Sequence, residues 1–112
     1  PTSSIVRGLN NWTIKIVNTS GSNVSVANIV VSWYNYSLLE KASLREKIIW
    51  GSVLGAGSPQ TLTFYYIAPD DLIVYSGAAE NNNLQFAFMD DYFVIYHVKV
   101  YLTNGCYVQY WR

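Results

Sequence analysis

Apolar and polar residues alternate along the last third of the chain, from residue 92 to residue 103. A pleated strand with one buried face requires such a period of two. The run ends at Asn104-Gly105, a pair suited to a type I′ turn, and β-forming residues resume at Tyr107. The pattern therefore predicts a long C-terminal hairpin. One predicted face of its first strand carries Val94, Tyr96, Val98, Val100 and Leu102, and the other carries Phe93, Ile95, His97, Lys99, Tyr101 and Thr103.

A two-residue loop at Asn104-Gly105 places Thr103 opposite Cys106 and so sets the register of the hairpin. In this register the outer face mixes aromatic and aliphatic groups around a cation. Such a face suits either an ordinary amphipathic outer surface or a protein-contact surface. The pairs on this face are then Tyr101–Val108, Lys99–Tyr110 and His97–Arg112. The residues we expect to contact a partner are Ile95, His97, Tyr101, Val108 and Tyr110.

Upstream, alternation predicts a first strand at residues 12–17 and a long second strand at residues 24–36, with a polar turn between them. Within the second strand the apolar residues change phase, which predicts a β-bulge at Ala27-Asn28. Residues 37–47 hold five of the fourteen charges and break the alternation, which predicts a short helix or a solvated loop. Shorter strands are predicted at residues 48–53, 61–67, 72–75 and 84–89.

These strands, with turn residues between them, predict an all-β fold. The expected architecture is an Ig-like antiparallel β-sandwich of about 7–8 strands with a long C-terminal hairpin. The ten Tyr and four Trp residues favour strands in the same way. A chain of 112 residues suits one domain. We expect residues 11–112 to form the sandwich and residues 1–10 to be a polar lead-in.

The charge balance bears on the choice of partner. Net charge is zero, from seven basic and seven acidic residues, and no basic run occurs. We therefore expect no nucleic-acid partner, because phosphate binding needs clustered Lys and Arg. No stretch is long and apolar enough to predict a membrane span. The sequence opens at Pro1 without an initiator Met, so we expect a processed or truncated product, with any signal or anchor segment upstream of this chain.

Four N-x-S/T acceptor sequences occur, whereas this composition predicts about one or two by chance. They begin at Asn11, Asn18, Asn23 and Asn35. They indicate either a glycosylated exterior surface or Asn-rich loops without glycans.

The residue types that perform catalysis are few and scattered. His97 is the single His and Cys106 the single Cys, and the predicted register separates them. The acidic pairs at residues 70–71 and 90–91 suit turns, with a weak Ca²⁺ site between loops as the alternative. We therefore expect no enzymatic activity, no cofactor and no metal. A sugar-binding platform of aromatic residues is a further option.

Two segments resemble archaeal cell-surface β-sandwich domains. Residues 96–108, YHVKVYLTNGCYV, are similar to the closing strands of the soluble domains of the archaellum stator proteins F and G and of some archaeal pilins. Residues 12–21, WTIKIVNTSG, end a strand in the I-x-N-T-x-G pattern of the same group.

This resemblance implies a non-enzymatic, stator-like component of the archaeal cell envelope, located between the cytoplasmic membrane and the S-layer or at the cell surface. It implies self-association, with a dimer expected, and binding to the S-layer protein or another envelope protein. The alternative is the globular domain of an archaeal pilin or of a strand-exchanging filament subunit. In that case residues 1–10 would insert into a neighbour's sheet.

Overall fold

The computed structural model describes residues 2–8, 11–34, 38–54, 60–64, 67–77, 82–89 and 94–111. Ten strands lie within these residues, and a short 3-10 helix, Pro69–Leu72, precedes the seventh of them. The strands are β1 Thr2–Gly8, β2 Asn11–Val17, β3 Val24–Tyr34, β4 Leu39–Leu44, β5 Lys47–Leu54, β6 Gln60–Leu62, β7 Ile73–Val74, β8 Asn83–Phe88, β9 Val94–Leu102 and β10 Tyr107–Trp111.

The strands form two antiparallel sheets that pack as a sandwich, which confirms the predicted fold class. One sheet has the order β1-β2-β8-β4-β5, and the other has the order β10-β9-β3-β6, with β7 paired to the start of β3. The sub-orders β1-β2-β8-β4 and β10-β9-β3 are those of the ABED and GFC sheets of an immunoglobulin constant-type sandwich. Strands β5, β6 and β7 are therefore additions between the fourth and fifth strands of that arrangement.

The core lies between the sheets and consists of alternate residues from their strands. On β2, Trp12, Ile14 and Ile16 are buried. On β3 the buried series changes phase, because a register shift between Val26 and Asn28 leaves Ala27 as an extra residue. The predicted bulge at Ala27-Asn28 is thereby confirmed.

Two ring contacts join the sheets across this core. Trp12 meets Tyr110 edge-on at a centroid distance of 5.1 Å, and Trp33 meets Phe88 in the same way at 5.6 Å. Edge-to-face packing of this kind adds about 0.5–1.5 kcal/mol to the burial of the rings.

The charged segment at residues 37–47 contains β4 and the beginning of β5, so the predicted helix or loop is wrong for its described part. Strand β4 lies between β8 and β5, and Leu39, Ala42 and Leu44 are fully buried. The chain reverses at Arg45-Glu46, where both residues have positive φ, 51° and 67°. Burial of the apolar residues and pairing on both sides override a local preference for helix.

The predicted lead-in is also wrong for residues 2–8. These residues form β1, which pairs with β2 from Thr2 opposite Val17 to Gly8 opposite Asn11. Strand β1 therefore belongs to the sandwich and ends the first sheet. The predicted strand at 61–67 is shorter than expected, because regular pairing there covers only Gln60–Leu62.

Candidate interaction surface

The C-terminal hairpin has a three-residue loop where the sequence predicted two residues. The Gly105 N–H donates to the carbonyl of Leu102, and the Leu102 N–H donates to the carbonyl of Cys106. Within this loop only Gly105 has a positive φ, at 87°, and the side-chain Oδ1 of Asn104 accepts the Cys106 N–H. This is a type I turn followed by a left-handed glycine, the second common hairpin connection.

The longer loop shifts the register by one residue and reverses the faces of β10. Tyr107 lies opposite Tyr101, Gln109 opposite Lys99, and Trp111 opposite His97. A one-residue slip moves each side chain to the other face, because the side-chain period of a strand is two. The outward residues of β10 are therefore Tyr107, Gln109 and Trp111, whereas Val108 faces the core.

A second bulge, which the sequence did not predict, lies on β9 and changes the face on which Ile95 lies. Ser32 pairs with His97, whereas the next residue, Trp33, pairs with Ile95, so Tyr96 is the extra residue. Beyond it the phase of the strand changes, and Ile95 joins Val98 in the core.

The five predicted contact residues therefore divide into three groups. His97 and Tyr101 lie on the outer face, as expected. Ile95 and Val108 are in the core, 4% and 6% exposed, so their predicted place on the outer face is wrong. Tyr110 is half-buried and packs against Trp12 on the inner side of the sheet. Arg112, the predicted neighbour of His97, lies outside the described residues.

The outer side of the β9–β10 hairpin is a two-strand surface that we call the aromatic face. Two of its rings are among the most exposed large apolar side chains of the described residues, with Tyr107 49% and Trp111 62% exposed. Sequence reasoning missed both, because their outward orientation follows from the loop length. The aromatic face consists of His97, Lys99, Tyr101, Tyr107, Gln109 and Trp111.

Contacts between the two strands order the aromatic face. The His97 ring stacks on Trp111 at a centroid distance of 3.7 Å, and its Nε2 lies 3.3 Å from Oε1 of Gln109. The Lys99 ammonium lies 4.1 Å from the centroid of the Tyr107 ring and 4.8 Å from that of Tyr101. Both distances are within the range of a cation–π interaction. These contacts hold the side chains in place, so a partner would meet a partly preorganised surface.

The outer face of the other sheet has a different composition. Its central positions include Thr13 on β2, which pairs with Gln85 on β8, and Lys15, which pairs with Asn83. Thr13 and Gln85 are half-buried, and Lys15 is exposed. This polar face is an ordinary solvated surface, so the two sides of the sandwich are chemically unlike.

An open groove lies on another flank of the sandwich, where the edge strand β5 approaches the chain that follows β6. Its volume is about 400 Å³. Ile48, on β5, is 56% exposed at this groove. The residues lining it are Ile48, Ile49, Trp50, Gly51, Thr63 and Ile67.

Of the four predicted glycan acceptors, Asn18 is buried, so the prediction for this residue is wrong. Its side chain is 1% exposed, and its Nδ2 donates to the carbonyls of Ser22 and Val74. Asn23 is exposed and accepts the Ser76 N–H through Oδ1, and Asn11 is half-buried at the start of β2. Asn35 lies outside the described residues.

The groups considered for catalysis are not brought together. Cys106 is an exposed free thiol directly after the hairpin loop, and His97 contacts Trp111 and Gln109. Asp70 and Asp71 lie in the 3-10 helix, whereas residues 90–91 lie outside the described ranges. Within those ranges no three His, Cys, Asp or Glu side chains cluster as metal ligands would.

No helix in the described part of the chain has the length and apolar character needed to span a membrane. Comparison with models of protein families, with curated proteins and with solved structures found no match to this chain.

Proposed function

We propose that this chain is a non-enzymatic interaction module that binds other proteins through its aromatic face. The observation that supports this proposal is the exposure of Tyr107 and Trp111 on one strand, within an ordered row of ring and cation contacts. Aromatic side chains supply much of the binding energy of protein interfaces, and they do so at low cost in conformational entropy.

In this proposal the module is a stator-like component of the archaeal cell envelope, outside the cytoplasmic membrane, that self-associates and binds the S-layer protein. The similarity of residues 96–108 to the closing strands of archaellum stator domains supports this setting. The same residues provide His97, Lys99, Tyr101 and Tyr107 of the aromatic face, so the sequence similarity and the exposed surface coincide.

The variant Tyr101→Lys tests this surface. Tyr101 lies on the aromatic face beside Lys99, so the substitution removes a ring and places two positive charges together. We expect its affinity for purified S-layer protein from the source organism, measured by calorimetry, to fall about tenfold or more. The matched control is Gln85→Lys, on the polar face of the other sheet, which should bind as the native chain does. Equal binding by Tyr101→Lys and the native chain, or no binding by either, would contradict the proposal.

A strand-exchanging filament subunit is the second candidate, and the position of β1 favours it. Strand β1 is the first described strand, lies at the edge of its sheet and has β2 as its sole ladder partner among the described strands. A strand in this position can leave its sheet and pair with a neighbouring copy at small cost to the remaining fold. Deletion of residues 1–10 would then abolish polymers seen by electron microscopy while retaining the β-sheet circular dichroism spectrum. Polymers that persist after the deletion would exclude strand exchange by β1.

A further inference from the structure

The edge strand β10 lacks the features by which proteins usually prevent edge-to-edge pairing. Its sequence is Tyr107-Val108-Gln109-Tyr110-Trp111, with no charge and no proline, and its register with β9 is unbroken. Natural edge strands are commonly short, charged, bulged or interrupted by proline.

The other three edge strands, β1, β5 and β6, each have such a feature. Strand β6 has three residues, β5 begins with Lys47 and has register shifts against β4, and β1 contains Arg7. Strand β1 is near β10 but belongs to the opposite sheet and pairs with β2. Among the described strands, β10 is therefore the edge best suited to accept another strand.

The ladder between β9 and β10 determines which backbone groups point to the free edge. The Leu102 N–H donates to the Cys106 carbonyl, so these two residues form a hydrogen-bonded pair. Antiparallel pairs alternate between hydrogen-bonded and non-hydrogen-bonded, which makes Val108 and Tyr110 the next residues bonded to β9. The N–H and C=O groups of Tyr107, Gln109 and Trp111 therefore point away from β9, toward the edge.

The same three residues are complementary to themselves under a twofold rotation. If two copies of β10 pair antiparallel about Gln109, each Gln109 lies opposite its counterpart and each Tyr107 lies opposite a Trp111. All three positions are then hydrogen-bonded pairs, which use the backbone groups that point to the edge. Cross-strand aromatic pairs stabilise sheets, and the two amides are able to bond each other.

We propose that two copies of this chain associate through β10 in this twofold register, centred on Gln109. The two five-stranded sheets then become one sheet of ten strands, with the two aromatic faces continuous across the dyad. This inference rests on the proposed self-association and specifies its geometry. A second copy fits this edge because its own β10 supplies the matching groups at each position.

Disulfide cross-linking tests the register directly. In a Cys106→Ser background, Gln109→Cys places two thiols at the dyad, where Cα atoms of a hydrogen-bonded pair lie about 5.5 Å apart, within disulfide range. We expect mild oxidation to convert most of the chain to a covalent dimer on a non-reducing gel. The matched control Ile48→Cys, also exposed and on an edge strand, should remain mostly monomeric. Absence of the Gln109→Cys dimer at concentrations where the native chain is dimeric would overturn the register.

Sedimentation of Gln109→Pro separates this inference from the proposed function. Proline removes an N–H that points to the free edge and is not used by β9, so the monomer should keep its fold. We expect the dimer dissociation constant to rise about 10- to 100-fold, since two hydrogen bonds at the dyad are lost. If Gln109→Pro dimerises normally and Tyr101→Lys does not, the aromatic face mediates contacts without strand pairing, and only this inference fails. A native chain that stays monomeric at millimolar concentration would contradict both this inference and the proposed self-association.

Discussion

Asn82 connects three segments of the chain, although in the sequence it stands within the polar run Glu80-Asn81-Asn82-Asn83. Its side chain is fully buried. The Oδ1 atom accepts the N–H of Tyr75, and Nδ2 donates to the carbonyls of Ile16 and Tyr75. Its backbone carbonyl also accepts the Ile16 N–H. One amide therefore holds the segment after β7 against the end of β2, beside the single backbone bridge between Asn18 and Gly77.

The variant Asn82→Ala should destabilise the protein strongly. The change removes the side-chain partner of the Ile16 carbonyl, which is buried, and of the Tyr75 N–H and carbonyl, which are partly buried. Each unsatisfied buried group costs about 1–3 kcal/mol, so we expect the free energy of unfolding to fall by about 3 kcal/mol. The matched control Asn83→Ala, at a half-buried neighbouring position, should change it by less than about 0.5 kcal/mol. Denaturant titration gives both values, and equal midpoints for the two variants would contradict this account of Asn82.

The side-chain amide of Asn18 holds the turn after β2 in place, as that of Asn82 holds the segment after β7. Its Oδ1 accepts hydrogen bonds from the N–H and Oγ of Ser20, and its Nδ2 donates to the carbonyl of Val74. The sequence shows the same residue only as an N-x-S/T acceptor. Local sequence does not distinguish an exposed Asn from one whose partners lie 56 or 66 positions away, as they do for these two residues.

At the scale of elements, the loop of the C-terminal hairpin decides which side chains face outward. The positive φ of Gly105 permits the three-residue loop, which places Tyr107 and Trp111 on the aromatic face. A two-residue turn with two positive φ angles was expected at that loop. Such a turn occurs instead at Arg45 and Glu46, where no glycine marks it in the sequence. Arg45 tolerates this conformation while its guanidinium donates to the carbonyls of Ile73 and Asp70.

Replacement of Gly105 by Ala tests the loop. At a φ of 87° an added Cβ is strained although no atom lies within 4 Å, so we expect a loss of about 1 kcal/mol in the free energy of unfolding. The matched variant Gly51→Ala, on β5, has ordinary backbone geometry and its nearest contact at 4.0 Å from Ile48. It should be neutral or stabilising by about 0.5 kcal/mol, because Ala lowers the entropy of the unfolded chain. Thermal unfolding of both variants checks this prediction, and a larger loss in Gly51→Ala would contradict it.

The alternation of residues was sufficient to predict the existence of most strands and the bulge at Ala27-Asn28. It was insufficient for β4, because neighbouring strands on both sides stabilise a segment rich in helix-forming residues. It also failed for the register of β10 and for the orientation of Ile95. In both cases a single extra residue, in a loop or in a bulge, reverses the face of each side chain that follows.

For the molecule as a whole, the sandwich has one polar face and one aromatic face and no net charge. Long-range electrostatic attraction then contributes little to association, and burial of apolar surface must supply most of the affinity. Four large apolar side chains stand out as exposed in the described residues: Ile48, Met89, Tyr107 and Trp111. Two of them belong to the aromatic face and two do not, which permits a matched comparison.

The most direct test is sedimentation equilibrium of two double variants, each replacing two exposed apolar residues with Lys. If the aromatic face is the contact surface, Tyr107→Lys/Trp111→Lys should be monomeric at concentrations where the native chain associates, because charges at the interface core are strongly unfavourable. The variant Ile48→Lys/Met89→Lys, with the same added charge, should associate as the native chain does. Loss of association in the second variant, with retention in the first, would show that the contact surface lies elsewhere on the sandwich.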